Sequence, residues 1–219
     1  MKKISKFILV VLPLAIVFSS CVDITRNIVI NKDGSGTEQM QVNISRQFFS
    51  MMQGLAALDT TKKQKDFFDD SEIIADIREN LEESGASSRV SIESVLNSDS
   101  SKTLTIGYDF NNLAAITMAL DAEAPAENRG DIYMKEQDGN MKFYYELPAD
   151  NNGNQDTTNA EFTKKMFEGK NFTVNIEFPY DVISSNATSS NGRKLTWVFP
   201  MNSFSTLGEK RILTAELSK

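Results

Sequence analysis

Ile28-Val29-Ile30-Asn31-Lys32-Asp33-Gly34-Ser35-Gly36, continued by Met40-Gln41-Val42-Asn43-Ile44, is the stretch that decides the fold class. Ile28 and Ile30 before the turn, and Met40, Val42 and Ile44 after it, recur every second residue, the period at which side chains share one face of a strand. Asp33-Gly34 supplies a turn in which positive φ is tolerated, so the two runs predict a β-hairpin. The glycines invite comparison with a phosphate-cradling loop. No Gly-Lys-Ser/Thr follows and no helix pattern starts there, so the hairpin reading stands.

Outward from this hairpin the period changes. Phe48, Met52 and Leu55, with Phe49 and Ala56, fall at helical spacing and predict a helix over 46–58 that Gly54 weakens. Phe48, Phe49, Met51 and Met52 suit either core packing or a soft apolar groove for an acyl chain or partner helix. Ile73, Ile74, Ile77 and Leu81 line a second helix. Asp69-Asp70-Ser71-Glu72 suits its positive N-terminal end, and Gly85 supplies its stop. Val90 and Ile92, then Leu104, Ile106, Tyr108 and Phe110, form a second hairpin about the polar turn 97–102. Asn111 or Asn112 then caps a short helix carrying Leu113, Ile116 and Leu120.

A third hairpin is predicted around Gln137-Asp138-Gly139-Asn140, between Ile132–Lys135 and Met141–Leu147. Residues 149–160 read as a polar loop, and Phe162, Met166 and Phe167 suggest one more short helix. The remainder alternates as strands through Phe172, Val174, Ile176 and Phe178, through Leu195, Trp197 and Phe199, and through Leu213, Ala215 and Leu217. The fold expected is α+β: a mostly antiparallel sheet built from hairpins, with about three or four helices packed on one face.

The first twenty residues differ in kind. Lys2, Lys3 and Lys6 precede an uncharged apolar run, Phe7 to Phe18, which ends in Ser19, Ser20 and Cys21. A spanning helix needs roughly 20 apolar residues, so this run is a cleavable targeting segment. Val17-Phe18-Ser19-Ser20-Cys21 resembles a lipobox, in which the cysteine sulfur receives diacylglycerol before cleavage on its N-terminal side. The expected organisation is a lipoprotein signal peptide over 1–20, a lipidated N-terminus and tether over 21–27, and a single α+β domain over 28–219. With about 0.8 kcal/mol for each buried CH₂, two acyl chains on Cys21 hold the chain on a membrane essentially permanently.

The 219-residue chain has 23 basic and 30 acidic residues. Removing residues 1–20 deletes three lysines and no acid, leaving a formal charge of −10 on 199 residues. Such a surface repels phosphate backbones, which excludes nucleic acid as a partner class. Cys21 is the only cysteine, so stability must come from packing rather than an internal disulfide. With no histidine, the chain cannot build a Ser-His-Asp triad, a Cys-His pair or a histidine zinc site.

One loop has metal-like spacing. Counting Asp150 as position one, Asp150, Asn152, Asn154, Asp156 and Glu161 occupy positions one, three, five, seven and twelve of a calcium loop. Position six is Gln155 rather than glycine, and a strand rather than a helix precedes it, so a solvated polar loop is the preferred reading. Asp69-Asp70 and Glu82-Glu83 are adjacent pairs that do not face each other on a helix, the wrong spacing for shared acid–base work. No catalytic residue and no cofactor is expected.

Two segments carry a family resemblance. Cys21 with Ile28-Val29-Ile30-Asn31-Lys32-Asp33-Gly34-Ser35-Gly36, and Phe178-Pro179-Tyr180-Asp181-Val182-Ile183-Ser184-Ser185-Asn186 leading to Lys194-Leu195-Thr196-Trp197, resemble the LppM-like family of bacterial envelope lipoproteins. The resemblance implies a lipid-anchored α/β envelope domain without established catalytic activity, in contact with lipids or envelope partners.

The functional expectation is a non-enzymatic envelope lipoprotein, on the membrane through Cys21, that binds a partner protein or an apolar ligand. The alternative is a structural or assembly subunit of an envelope complex, and the third reading is an enzyme without His or Cys chemistry. Asp23 and Arg26 follow Cys21 without an acidic cluster, which favours an outer-membrane position facing the periplasm over surface display.

Overall fold

The computed structural model describes residues 22–48, 50, 71–83, 89–120, 130–147, 167–205 and 210–219. The opening hairpin forms as its alternation requires, from β1 (Val22–Ile30) and β2 (Gly36–Ile44) in antiparallel register. Its turn closes on itself. Asn31 N–H donates to Ser35 O at 2.8 Å, while the Ser35 N–H and hydroxyl donate to Asp33 Oδ1 at 3.1 and 2.6 Å. Gly34 takes φ +83°, which glycine adopts without a Cβ penalty. β1 begins at Val22, so residues 22–27, expected to be a tether, are the first six residues of a strand.

The second hairpin repeats this turn. β3 (Ser91–Leu96) and β4 (Lys102–Phe110) are joined by residues 97–101. Asn97 donates to Ser101 O, and Ser101 donates twice to Asp99 Oδ1, as Asn31, Ser35 and Asp33 do. Ser100, with φ +63°, stands where Gly34 stands in the first turn. The third hairpin joins β5 (Ile132–Gln137) to β6 (Asn140–Leu147) through Asp138 and Gly139, both at positive φ.

The remaining strands are β7 (Asn171–Glu177), β8 (Val182–Ser185), β9 (Ser189–Asn191), β10 (Lys194–Pro200) and β11 (Arg211–Ser218). They complete two sheets, one ordered β3-β4-β2-β1-β7-β10-β9 and the other β5-β6-β11-β8. β1 and β7 run parallel, with Ile28 opposite Ile176, so the first strand occupies the centre of the larger sheet.

This architecture corrects the expected fold class. The described chain is mostly β, with two sheets and short helices, and not helices layered on one sheet face. Inward residues of the small sheet, Phe143, Tyr145, Leu147, Leu213, Ala215 and Leu217, share one core with Ile28, Ile30, Val174, Ile176, Leu195 and Trp197 of the large one. Phe143 meets Phe178 edge to face at 4.9 Å between centroids. Alternation reports that one face of a strand is apolar but not whether a helix or a second sheet covers it.

The predicted helices contribute locally. α1 (Ser71–Glu83) sends Leu81 into the core. α2 (Ala114–Leu120) sends in Ala115 and Ile116, with Leu113 just before it and Asn112 Oδ1 accepting from Ala115 N–H at 3.2 Å. A 3-10 turn spans Met201–Ser205. Among the described residues, no helix is long and apolar enough to cross a membrane. Ser45 caps a helical start at 46–48 through Phe48 N–H, while the rest of the helix expected over 46–58, the stop at Gly85 and the helix expected around Phe162 lie outside the described residues.

After β7 the chain crosses to the small sheet as β8 and returns as β9. Asn186 holds that crossing. Its Nδ2 donates to Ile212 O at 2.7 Å, and its Oδ1 accepts from the Trp197 indole N–H at 2.8 Å and from Thr214 N–H at 2.9 Å. The segment from Phe178 to Trp197 that carries the family resemblance is therefore the joint between the two sheets.

Candidate functional site: the Cys21 end of the sandwich

Cys21 lies outside the described residues, but the residue bonded to it does not. Val22 opposes Ile44, Ile44 opposes Lys102, and Lys102 opposes Leu96, so these four residues form one row across β1, β2, β4 and β3. Continued through the parallel β1–β7 register, the row passes to Lys170, whose carbonyl accepts from Met201 N–H at 2.7 Å. The end of the large sheet at which Cys21 enters is thus lined by Leu96, Lys102, Ile44, Val22, Lys170 and Met201. Leu96 is 58% exposed, and Val95 beside it 43%.

The chain is fixed where it enters. Asp23 accepts from Lys170 Nζ and, at 3.2 Å, from Asn171 N–H, binding the start of β1 to the start of β7. The turn at 97–101 projects at this end, with the Asp99 carboxylate folded back onto Ser101; those hydrogen bonds, from the hydroxyl first, hold Asp99 below its ordinary value.

Between the sheets lies a polar cluster that the sequence reading missed. Arg26 of β1 forms a two-pronged ion pair with Glu38 of β2, Nε to Oε1 at 2.5 Å and Nη2 to Oε2 at 2.9 Å. Tyr108 of β4 donates to Glu38 Oε2, and Tyr145 of β6 accepts from Arg26 Nη1, each at 2.5 Å. Arg26 and Glu38 are essentially inaccessible to solvent. Burial opposes the Arg26 charge, yet attraction to Glu38, with further contributions from Tyr145 and Tyr108, holds its pKa above the ordinary value. Burial, then the Glu38 charge, pushes Tyr108 far above the usual phenol range. Both Glu38 oxygens are occupied and the cluster is sealed in the core, so it joins three strands of one sheet to the other and is not placed to meet a substrate. The signal for it is parity: Arg26 shares that of Ile28 and Ile30, and Glu38 that of Met40 and Val42.

A groove of about 540 Å³ runs over the outer face of the small sheet. Tyr133 and Tyr144, opposite each other on β5 and β6, stack at 5.1 Å between centroids, and Lys135 Nζ lies 4.7 Å from the Tyr133 centroid. Lys142 pairs with Glu216 at 2.7 Å, which holds the Glu216 carboxyl below its ordinary range. Tyr144 donates to Glu146 at 2.9 Å; burial and then that bond push its phenol up to about 12. The tyrosine faces are turned to each other and to Lys135, so the groove is walled largely by charged and hydroxyl groups.

The calcium candidates Asp150, Asn152, Asn154, Asp156 and Glu161 lie outside the described residues, as do Met51 and Met52. Phe48 is half-buried. Among the described residues, no group of three or more Asp, Glu, His or Cys side chains is placed to hold a metal ion.

Comparison with known proteins finds a structural similarity to the NMR structure of the folded domain of Mycobacterium tuberculosis LppM, with a TM-score of 0.47 at 10% identity, covering 91% of this chain and 90% of that one. No family model matches the sequence, and no curated protein matches it.

Proposed function

We propose that this chain is a non-catalytic, lipid-anchored envelope lipoprotein whose β-sandwich binds a partner protein. The observation that carries the reading is the junction at residue 22. A basic start, a short apolar run and Ser19-Ser20-Cys21 abut the first residue of the central strand, so acyl chains on Cys21 attach directly to the folded body. A protein partner is favoured over an apolar ligand because the space between the sheets is filled by the core side chains of both, while the groove on the small sheet is rimmed by Lys135, Lys142 and Glu216. The placement we favour is the outer membrane facing the periplasm.

Mass spectrometry of the mature N-terminus tests the anchor, and co-purification from detergent-solubilised membranes tests the partner. The expected results are a diacylated Cys21 and a co-eluting protein that survives a salt wash. An unmodified Cys21, or a Cys21→Ser chain that is processed normally and still fractionates with membranes, overturns the proposal.

A further inference from the structure

We infer that the anchored end of the sandwich seats against the bilayer, with Leu96 and Val95 dipping into its interfacial layer and the strands standing upright; this rests on the proposed lipidation of Cys21. With no spacer between Cys21 and β1, the acylated residue and Val22 are separated by a single Cα step of about 3.8 Å. Leu96 lies in the same register row as Val22, three strands away, a lateral distance of roughly 14 Å at about 4.8 Å per strand. Side chains of one row reach the same height above a membrane that lies across the strand ends. Interfacial segments bury apolar side chains about 5–10 Å into the headgroup boundary, which is the depth on offer to a side chain level with the anchor.

The row is Leu96, Lys102, Ile44, Val22, Lys170 and Met201, apolar side chains with two lysines and no acid. Lys102 is buried and Lys170 is paired with Asp23, so the surface that this row offers is chiefly that of Leu96. Of the described acids at this end, Asp23 is engaged by Lys170 and Asn171 and Asp99 by Ser101, while Glu168 is exposed.

The full chain, expressed where lipoproteins are processed and reconstituted in phosphatidylethanolamine–phosphatidylglycerol vesicles, provides the test. A thiol introduced by Leu96→Cys, by Val95→Cys or, at the far end of the same sheet, by Lys194→Cys carries an environment-sensitive fluorophore, and lipids spin-labelled near the headgroup act as quencher. Labels at 95 and 96 are expected to be blue-shifted and quenched severalfold more than the label at 194. Trp197 emission verifies that each variant is folded. Equal quenching at the two ends, with a diacylated Cys21 seen by intact mass in the same sample, overturns the seating and leaves the lipoprotein reading intact. An intact mass lacking the acyl chains overturns both.

Discussion

Replacing Glu38 with glutamine removes one charge from a sealed pair and leaves the Arg26 guanidinium in the core without its counter-ion. The amide retains one acceptor oxygen, so part of the hydrogen bonding survives while the charge balance does not. Breaking a buried ion pair at one partner costs about 3–5 kcal/mol. Against a domain stability of about 5–15 kcal/mol, that is about a fifth or more of the whole. For a domain of this size each kcal/mol moves Tm by about 2–4 °C, so a fall of roughly 6–20 °C is expected. Urea unfolding followed by far-UV circular dichroism measures the difference directly, with Glu93→Gln on the exposed side of β3 as reference. Arg26→Met, Glu38→Met, Tyr108→Phe and Tyr145→Phe together remove every polar atom of the cluster and should recover most of the lost stability, because apolar replacement of a whole buried ionic group is close to neutral. A Glu38→Gln loss indistinguishable from that of Glu93→Gln, or a fourfold variant weaker than Glu38→Gln alone, would refute the account.

Three further perturbations probe the turns and the joint. Ser100→Gly should raise stability by on the order of 0.5–1 kcal/mol, since a left-handed conformation costs an L-residue roughly 1–2 kcal/mol and glycine's extra backbone entropy offsets only part of that; Gly34→Ser should lose a similar amount, read as opposite shifts in urea midpoint. Asn186→Ala strips the acceptor from the Trp197 indole and from Thr214 N–H; a loss of about 1–3 kcal/mol is expected, with a change in emission from the chain's only tryptophan, and unchanged emission and midpoint would show the joint to be redundant. Asp33, Asp99, Glu146 and Glu216 are all held below their ordinary values, Asp33 and Asp99 by serine hydrogen bonds, Glu146 and Glu216 chiefly by lysine partners. A carboxylate with a depressed folded value contributes stability that is present above its unfolded value, near 3.8 for Asp and 4.5 for Glu, and lost as pH falls through the folded one. Melts at pH 7, 4 and 3 should therefore show an acid limb that Asp33→Asn with Asp99→Asn makes shallower, and an unaltered limb would discount the two turns as its source.

What the sequence made legible follows the range over which its signals act. The hairpins at Asp33-Gly34, at 97–101 and at Asp138-Gly139 are local, set by turn chemistry and alternation, and all form. The α1 face could also be read, because Leu81 falls in step with Ile77. The pairing of β1 with β7 joins residues 24 and 172, and no local pattern announces an association over that separation. Nor does alternation distinguish Leu213, which packs from a second sheet, from a residue covered by a helix. Arg26 falls within the stretch expected to be a tether, whereas its parity with Ile28 and Ile30 places it inside. At the candidate site, Cys21 was readable from the signal segment, but Leu96, Lys102 and Lys170 stand beside it only through pairing of distant strands.

The absence of a spacer also determines how far the domain reaches. Six extended residues between Cys21 and the fold would have added about 20 Å of slack, enough for the body to tumble above the membrane. Here residues 22–27 are paired with β2 and residues 24–27 with β7 as well, so in the lipid-anchored state proposed above tension is borne by two ladders in shear and does not peel a strand from an edge. In the seating proposed above, the nine residues of β1 place the Asp33 turn roughly 30 Å above residue 21, at about 3.3 Å per residue. A partner engaging that far end would meet it at a nearly constant height, and one recruited to the small-sheet groove would meet a face standing at right angles to the bilayer. Inserting a flexible segment between Cys21 and Val22 should therefore leave stability and membrane retention unchanged while weakening capture of a partner that is itself held in the envelope. Equal co-purification yields with and without the insert would mean that the height of the domain has no part in its recognition.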